Sequence, residues 1–217
     1  MRLHLIFGAP GSGKGSLAKL VNEKFALTHL STGDILRDSV SKETEVGLRV
    51  KASMANGTLV DDDTVNGIVF ARLQGETRDV LFDGYPRTLE QATALDDFLS
   101  KMGFSFGLVV NIDVPVSVLE SRIVGRRVCS NSACGAIYHV VRKKSLVDGV
   151  CDICKSVLIQ RPDDTSQAFH ARMDVFNASY EPMLAHYRGK PNFRQVDGVA
   201  LPDEVFNAVS ELYEEYV

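Results

Sequence analysis

The sequence predicts an α/β protein, a five-stranded parallel sheet with helices on both faces that is interrupted by two insertions. Three observations lead there. The apolar run Leu3-His4-Leu5-Ile6-Phe7 enters a glycine-rich turn and then the helical pattern Leu17-Ala18-Lys19-Leu20-Val21, a strand–loop–helix unit. The stretches Val80-Leu81-Phe82-Asp83 and Leu108-Val109-Val110-Asn111-Ile112 are almost continuously apolar, as strands covered on both faces must be. Between such strands lie segments with helix-capping signals rather than hairpin turns.

The first turn, Gly8 to Ser16, fits G-x-x-x-x-G-K with Gly8, Gly13 and Lys14 in the required places. Gly11, Gly13 and Gly15 let the main chain approach anionic oxygens, the following helix start supplies positive potential, and Lys14 adds a mobile ammonium. Gly15 stands where the general motif has Ser or Thr to hold Mg²⁺, and Ser16 is the nearest hydroxyl. A metal held in another way is therefore expected.

Thr28-His29-Leu30 reads as a second strand, ending at Ser31-Thr32-Gly33-Asp34-Ile35-Leu36-Arg37. Ser31 or Thr32 can cap a helix that carries Arg37 one turn in. From Asp34 to Met54 the helical pattern is interrupted and its apolar residues are sparse, which suggests a two-helix flap. Asn56-Gly57-Thr58-Leu59-Val60 turns the chain back, and Asp61-Asp62-Asp63 reads as the start of a helix to about Leu73 rather than as a metal site. Asp83 and Arg87 follow the next strand. Ligands gather at the carboxyl ends of parallel strands, so both are expected beside Lys14. Thr88 with Gln91 three residues on reads as a capping start, which leaves Gln91 a structural role beside a base-reading one. Pro115 suits the first turn of a helix expected to carry Arg122, Arg126 and Arg127, with Arg122 and Arg126 on one face around an anionic ligand. After Arg161, Asp164 to Tyr187 is expected to form a long helix carrying Arg172. Phe193 to Gly198 forms the last strand and turn, and Pro202 opens the last helix.

From Cys129 to about Gln160 short β-type runs carry Cys129, Cys134, Cys151 and Cys154. Two cysteine pairs at this spacing fit a ribbon holding a tetrahedral ion through four thiolates. Four ligands leave no open position, so the ion is expected to be structural. Zn²⁺ leads, iron or another soft transition metal is an alternative, and His139 is a possible substitute ligand.

The chain has 217 residues, 45% hydrophobic and 24% charged, with a formal net charge of −4. That balance describes an ordinary globular protein and gives no footing for bulk nucleic-acid binding. No apolar run reaches the roughly 18 residues of a membrane span. The first strand leads directly into the phosphate loop, so a removable signal peptide is not expected there. A reducing cytoplasm follows as the expected location, with unpaired cysteines and a monomeric protein.

With these residues assembled, the chain resembles the adenylate kinases, in the long form whose lid carries a metal-binding ribbon. The matching pieces are Gly8 to Ser16, Ser31 to Arg37, Gly84-Tyr85-Pro86-Arg87-Thr88 with Gln91, Arg122-Ile123-Val124-Gly125-Arg126-Arg127, Ile137-Tyr138-His139, Arg161 with Asp163-Asp164, and Arg172. The resemblance implies a P-loop NTPase-type core (1–30, 61–124 and 163–217), a helical AMP-binding insertion (31–60) and a small β-rich lid (125–162). It implies Mg²⁺-dependent transfer between ATP, AMP and ADP. Gly11, Ser12, Gly13, Lys14, Gly15 and Ser16 would hold the ATP phosphates. Arg122, Arg126, Ile137, Tyr138 and main chain at Ala200 would complete the ATP site. Thr32, Arg37, Thr58, Leu59, Val60, Gly84, Tyr85, Pro86, Arg87 and Gln91 match the AMP site. Arg161 and Arg172 would bind phosphates between the two nucleotides, making Lys14, Arg87, Arg126, Arg161 and Arg172 the catalytic cations. Asp83 would orient Mg²⁺ through water. Ser16 for the usual Thr, Tyr85 for Phe, the wider first cysteine pair and Ala200 for a frequent lysine depart from the commonest pattern. A kinase for another monophosphate is the alternative within the class, with base choice resting on Thr32, Gln91 and backbone near Leu59. A nucleic-acid- or protein-binding ribbon with a regulatory phosphate loop is the alternative outside it.

Overall fold

A computed structural model describes residues 1–56 and 58–216; Gly57 of the expected 56–60 turn lies outside the described residues. The chain runs β1 (Arg2–Gly8), α1 (Lys14–Phe25), β2 (Thr28–Ser31), α2 (Thr32–Ser41), α3 (Glu45–Asn56), α4 (Asp62–Leu73), β3 (Val80–Asp83) and α5 (Leu89–Met102). It continues through β4 (Ser105–Asp113), α6 (Val116–Val124), β5 (Arg126–Cys129), β6 (Ile137–His139), β7 (Leu158–Ile159), α7 (Ser166–Arg188), β8 (Phe193–Asp197) and α8 (Pro202–Glu214). Five strands form one sheet in the order β2-β3-β1-β4-β8, all parallel, as expected. The strand that feeds the glycine-rich loop is thus the central one. Two apolar layers cover the sheet. One centres on Leu3, Leu5, Phe82, Leu95 and Tyr187, the other on Ile6, Leu81, Val110, Leu119 and Val209.

The local signals act where they were read. Ser31 Oγ accepts from Asp34 N to cap α2, Asp61 accepts from Thr64 N to cap α4, and Thr88 accepts from Gln91 N to cap α5. Gln91 does not close the reciprocal capping box, because its Oε1 accepts from the N–H of Arg87 rather than of Thr88. The long helix starts at Ser166, capped by Thr165, two residues later than expected. The α2–α3 pair crosses at Gly47, where a Cβ would run into the Ser39 carbonyl and the Val40 nitrogen.

One expectation is overturned. Arg122 lies on α6, but the helix ends at Val124, and Arg126 and Arg127 belong to β5, paired with His139 and Tyr138 of β6. Gly125 ends the helix against the imidazole of His139, where any side chain would overlap the ring. The two arginines therefore do not share a helical face around one anion. Arg122 donates to the Gly198 carbonyl at 2.9 Å, and Arg126 pairs with Asp164. Strands β6-β5-β7 form a separate antiparallel ribbon.

His4 is a polar residue fully buried in β1. A bulge opposite it, where Leu3 faces Phe106 but Leu5 faces Val109, turns the Leu108 N–H onto His4 Nδ1 at 3.0 Å. The ring packs against Gly107 and the Tyr213 ring. Burial drives its pKa down to about 4, with Asp79 opposing the shift and Arg2 adding to it. The unfolded chain takes up this proton near pH 6.5, so stability is full above that pH. It falls as the pH drops toward 4, by about 3 kcal/mol over the window. Denaturant melts between pH 7 and pH 4 should show this loss, and His4→Asn, which keeps an acceptor for Leu108, should flatten it.

Candidate functional site

The loop between β1 and α1 takes left-handed backbone at Gly11 (φ 87°) and Gly13 (φ 96°), conformations that a side chain disfavours. Ser12 N donates to the Ala9 carbonyl and Ser16 N to that of Gly13. The N–H groups of Gly11, Gly13, Lys14 and Gly15 have no partner among the described residues, and α1 has no side-chain cap. Converging free donors at a helix start form an anion cradle. Ser12 is buried inside the loop and Ser16 is exposed at its rim. Lys14 Nζ folds back to the Ala9 carbonyl at 3.3 Å. Burial lowers its pKa to about 8, Asp83 acting against the shift and Arg87, Arg172 and Arg126 adding to it.

Gly15 has a reason that the sequence did not reveal. A Cβ there would lie 3.0 Å from Asp83 Oδ2, so a Ser or Thr side chain would crowd the carboxylate. Asp83 is buried at the end of β3 with His29 Nε2 at 3.9 Å. Burial works to raise its pKa, but His29 and Lys14 outweigh it and hold the group below the usual carboxylate range. An ionised carboxylate beside the phosphate loop suits a hydrated divalent cation.

Two adjoining clefts open from this point. One of about 640 Å³ is walled by Thr32, Arg37, Thr58, Leu59, Val60, Gly84, Arg87 and Gln91, eight of the residues expected around a single ligand, together with Arg172. The other, about 600 Å³, reaches Gly8, Pro10, Lys14 and Pro86 and shares Leu59, Gly84, Arg87 and Arg172 with the first. Thr32 Oγ1 and Arg87 Nε both donate to the Gly84 carbonyl, at 2.9 and 2.7 Å. Tyr85 sits behind this wall, fully buried, its hydroxyl donating to Asn66 at 2.6 Å. That bond gives a reason for Tyr at this position.

The remaining arginines are held by carboxylates that the motifs contained but that had not been read as partners. Arg37 pairs with Asp34 at 2.6 Å and Arg161 approaches the same oxygen at 3.5 Å. Arg172 meets Asp163 at 3.1 Å, and Arg126 meets Asp164 through both carboxylate oxygens. Asp163-Asp164, two residues after Arg161, was the available signal. Burial, then Arg37 and Arg126, push Arg161 down to about 10, a mark of how much positive charge is gathered here.

Tyr138 and Ile137 lie in the ribbon. Tyr138 is buried among Cys129 and Cys151 and accepts from Asp152 N at 2.8 Å, while Ile137 is half-buried. Ala200 packs beside the loop whose carbonyls at Gly198 and Val199 receive Arg122. The four cysteine sulfurs lie within 4.8 Å of one another, with Cys129–Cys154 at 3.3 Å and Cys134–Cys151 at 3.7 Å. Metal–sulfur bonds of about 2.3 Å in a tetrahedron put sulfurs about 3.8 Å apart, so the set fits an ion despite the wide first pair. Donors on Ser156 lower Cys154 to about 6, whereas burial and the neighbouring sulfurs push Cys129 up to about 12. All four ionise together only around a cation. His139 is engaged elsewhere, Nε2 facing the Ser121 carbonyl and Nδ1 accepting from Val141 N and Arg142 N. Lys19 of α1 donates to the Gly135 carbonyl, tying the cysteine ribbon to the helix that follows the phosphate loop.

Residues 6–192 match the family model described as adenylate kinase. The chain is 40% identical to the adenylate kinase of Clostridium novyi (strain NT) over 208 residues, 95% of each chain. It is 40% identical to that of Clostridium botulinum (strain Loch Maree / Type A3) over 210 residues, 96% of each. It is also 40% identical to that of Clostridium acetobutylicum over 207 residues, 94% of this chain and 95% of the relative. The free donors of the Gly11–Gly15 loop, the arginine-walled clefts and the motif order thus occur together with full-length likeness, and the chain belongs to the adenylate kinase family.

Proposed function

We propose that the chain catalyses reversible phosphoryl transfer, ATP + AMP giving two ADP, in the joined clefts. The observation that carries the reading is the lining of the joined clefts by Lys14, Arg37, Arg87 and Arg172 beside free main-chain donors, with Arg126 and Arg161 nearby and the pKa values of Lys14 and Arg161 lowered by burial and by neighbouring arginines. Such a site gains most from several phosphates at once.

An oxygen of the AMP phosphate attacks the terminal phosphorus of ATP, the bond to the bridging oxygen breaks, and ADP leaves as a second ADP forms. No protein nucleophile is needed, because the attacking oxygen is already anionic. The protein aligns the two nucleotides and stabilises charge on the transferred group. In this reading the Gly11–Ser16 donors hold the ATP phosphates and Lys14 follows the moving group. Arg126, Arg161 and Arg172 exchange their carboxylate partners for phosphate oxygens, while Arg37 and Arg87 anchor AMP. Mg²⁺ bound with ATP would supply further charge neutralisation, and Asp83 would be the carboxylate that holds its hydrated form. Arg122 supports the Gly198–Ala200 main chain against adenine, with Ile137 and Tyr138 forming the adjacent lid edge. Residues 31–60 act as an AMP flap and 125–162 as a lid on a core of 1–30, 61–124 and 163–217. The lid ion is structural, with Zn²⁺ favoured by four sulfur donors. The protein works as a cytoplasmic monomer; no helix among the described residues is long and apolar enough to cross a membrane.

Lys14→Met should leave the melting temperature nearly unchanged and lower turnover by about 10³ or more, as loss of a cation at a phosphoryl-transfer site does; activity within tenfold of the parent rejects the role. Phosphates raise the pKa of Lys14 on binding, so affinity for ATP is full below pH 8 and declines as the pH rises through that value, with proton uptake visible by calorimetry in buffers of different ionisation heat. Chelation should loosen the ribbon while the core melt persists, since ion binding and ribbon folding are coupled by about 10 kcal/mol in small peptides. Activity lost before any structural change would instead indicate a catalytic ion. Fluorophores on residues 31–60 and 125–162 should approach each other when a bisubstrate analogue binds, and an unchanged distance rejects closure.

A further inference from the structure

The acidic triplet at 61–63 is one motif in sequence and three different groups in space. Asp61 caps α4 and Asp63 is exposed, but Asp62 turns toward α5. Its Oδ2 accepts from Thr88 Oγ1 at 2.9 Å and its Oδ1 from Gln91 Nε2 at 2.7 Å. At the other end of the amide, Gln91 Oε1 accepts from Arg87 N at 2.8 Å. Gln91 is 1% exposed and forms part of the wall of the 640 Å³ cleft.

Both neighbours of this amide have a single hydrogen-bonding role. A carboxylate only accepts and a main-chain N–H only donates. Turning the amide over would set its carbonyl oxygen against the carboxylate and its NH₂ against an N–H. Two bonds would be lost and two like-poled contacts made in a buried place. Each end keeps one unused valence, the second N–H of Nε2 and the second lone pair of Oε1, with no further partner among the described residues.

We infer that Asp62, with the Arg87 main-chain N–H, determines base specificity by locking Gln91 as a one-way donor–acceptor pair. The inference rests on the reading that Gln91 meets the base of the monophosphate. An adenine edge offers a ring-nitrogen acceptor beside an exocyclic amine donor, the complement of Nε2–H beside Oε1. A 6-oxopurine edge offers a ring N–H beside a carbonyl, the reverse order. A freely turning glutamine amide would suit either edge, whereas a locked one leaves the 6-oxopurine with two mismatched polar contacts. Asp62 is thus a positioning residue, acting through Gln91 rather than on substrate.

Steady-state kinetics with ATP and either AMP or inosine monophosphate, which differs from AMP only at this edge, tests the lock in the full-length enzyme. The variants are Asp62→Ala, the near-isosteric Asp62→Asn, Gln91→Ala and the double variant Asp62→Ala/Gln91→Ala, each checked by melting. The lock predicts that Asp62→Ala raises KM for AMP more than it lowers kcat, and cuts the AMP-to-inosine-monophosphate ratio of kcat/KM at least tenfold. Asp62→Asn should cut that ratio severalfold, and Asp62→Ala should add nothing to it in the Gln91→Ala background. A purely structural Asp62 would lower the melting temperature and weaken both substrates alike, leaving the ratio intact, and that result overturns the lock. A Gln91→Ala enzyme with the parent ratio removes the base-edge role of Gln91 itself, and the lock with it; loss of the ratio in Gln91→Ala but not in either Asp62 variant overturns the lock alone.

Discussion

Mutual repulsion among cations is the constraint on which the structure depends. Lys14, Arg37, Arg87 and Arg172 line two joined clefts, Arg126 and Arg161 stand close enough to share their field, and burial works against the charge of each one whose proton affinity is lowered. Left to themselves such groups would force the flap and ribbon apart. Four carboxylates oppose that tendency. Asp83 serves Lys14, Asp34 serves Arg37 and Arg161, Asp163 serves Arg172 and Asp164 serves Arg126. These pairs do not amount to a large stabilisation, because ions removed from water recover by pairing little more than they lose. Their effect is to keep the cations oriented, and in the proposed reading phosphate oxygens would replace carboxylate oxygens with little rearrangement of the arginines.

The sheet supplies the rigid frame. β1 lies between β3 and β4, with apolar layers on both faces, so the loop after it cannot shift without disturbing the core. The same centrality brings Asp83 of β3 against Gly15, where a Cβ would sit tight against the carboxylate at 3.0 Å. Loss of that side chain and gain of the neighbouring carboxylate are one structural fact. The ribbon, by contrast, has a small core of its own, with Cys129, Tyr138 and Cys151 buried and Cys134, Cys154 and Leu158 beside them. So few apolar contacts cannot hold three short strands, which is why four sulfurs drawn around one point matter to its stability.

Much of this was determined by the sequence alone. Short, almost uninterrupted apolar runs bounded by turn and cap signals read as strands covered on both faces, and glycines followed by a lysine at a helix start serve anions. Cap residues act within three or four positions of themselves, so the starts of α2, α4 and α5 were legible without tertiary knowledge. Tertiary structure decided whatever depends on neighbours remote in the chain. The pattern from Arg122 to Arg127 is helical by spacing, yet the chain leaves the helix at Gly125, where the imidazole of His139, 14 positions on, fills the space that a side chain would need. Which carboxylate faces which arginine, which of Asp61, Asp62 and Asp63 turns inward, and which way the Gln91 amide points were likewise undetermined in one dimension. Each follows from the meeting of elements that the sheet order alone brings together, and hydrogen-bond direction is settled only where the partners actually meet.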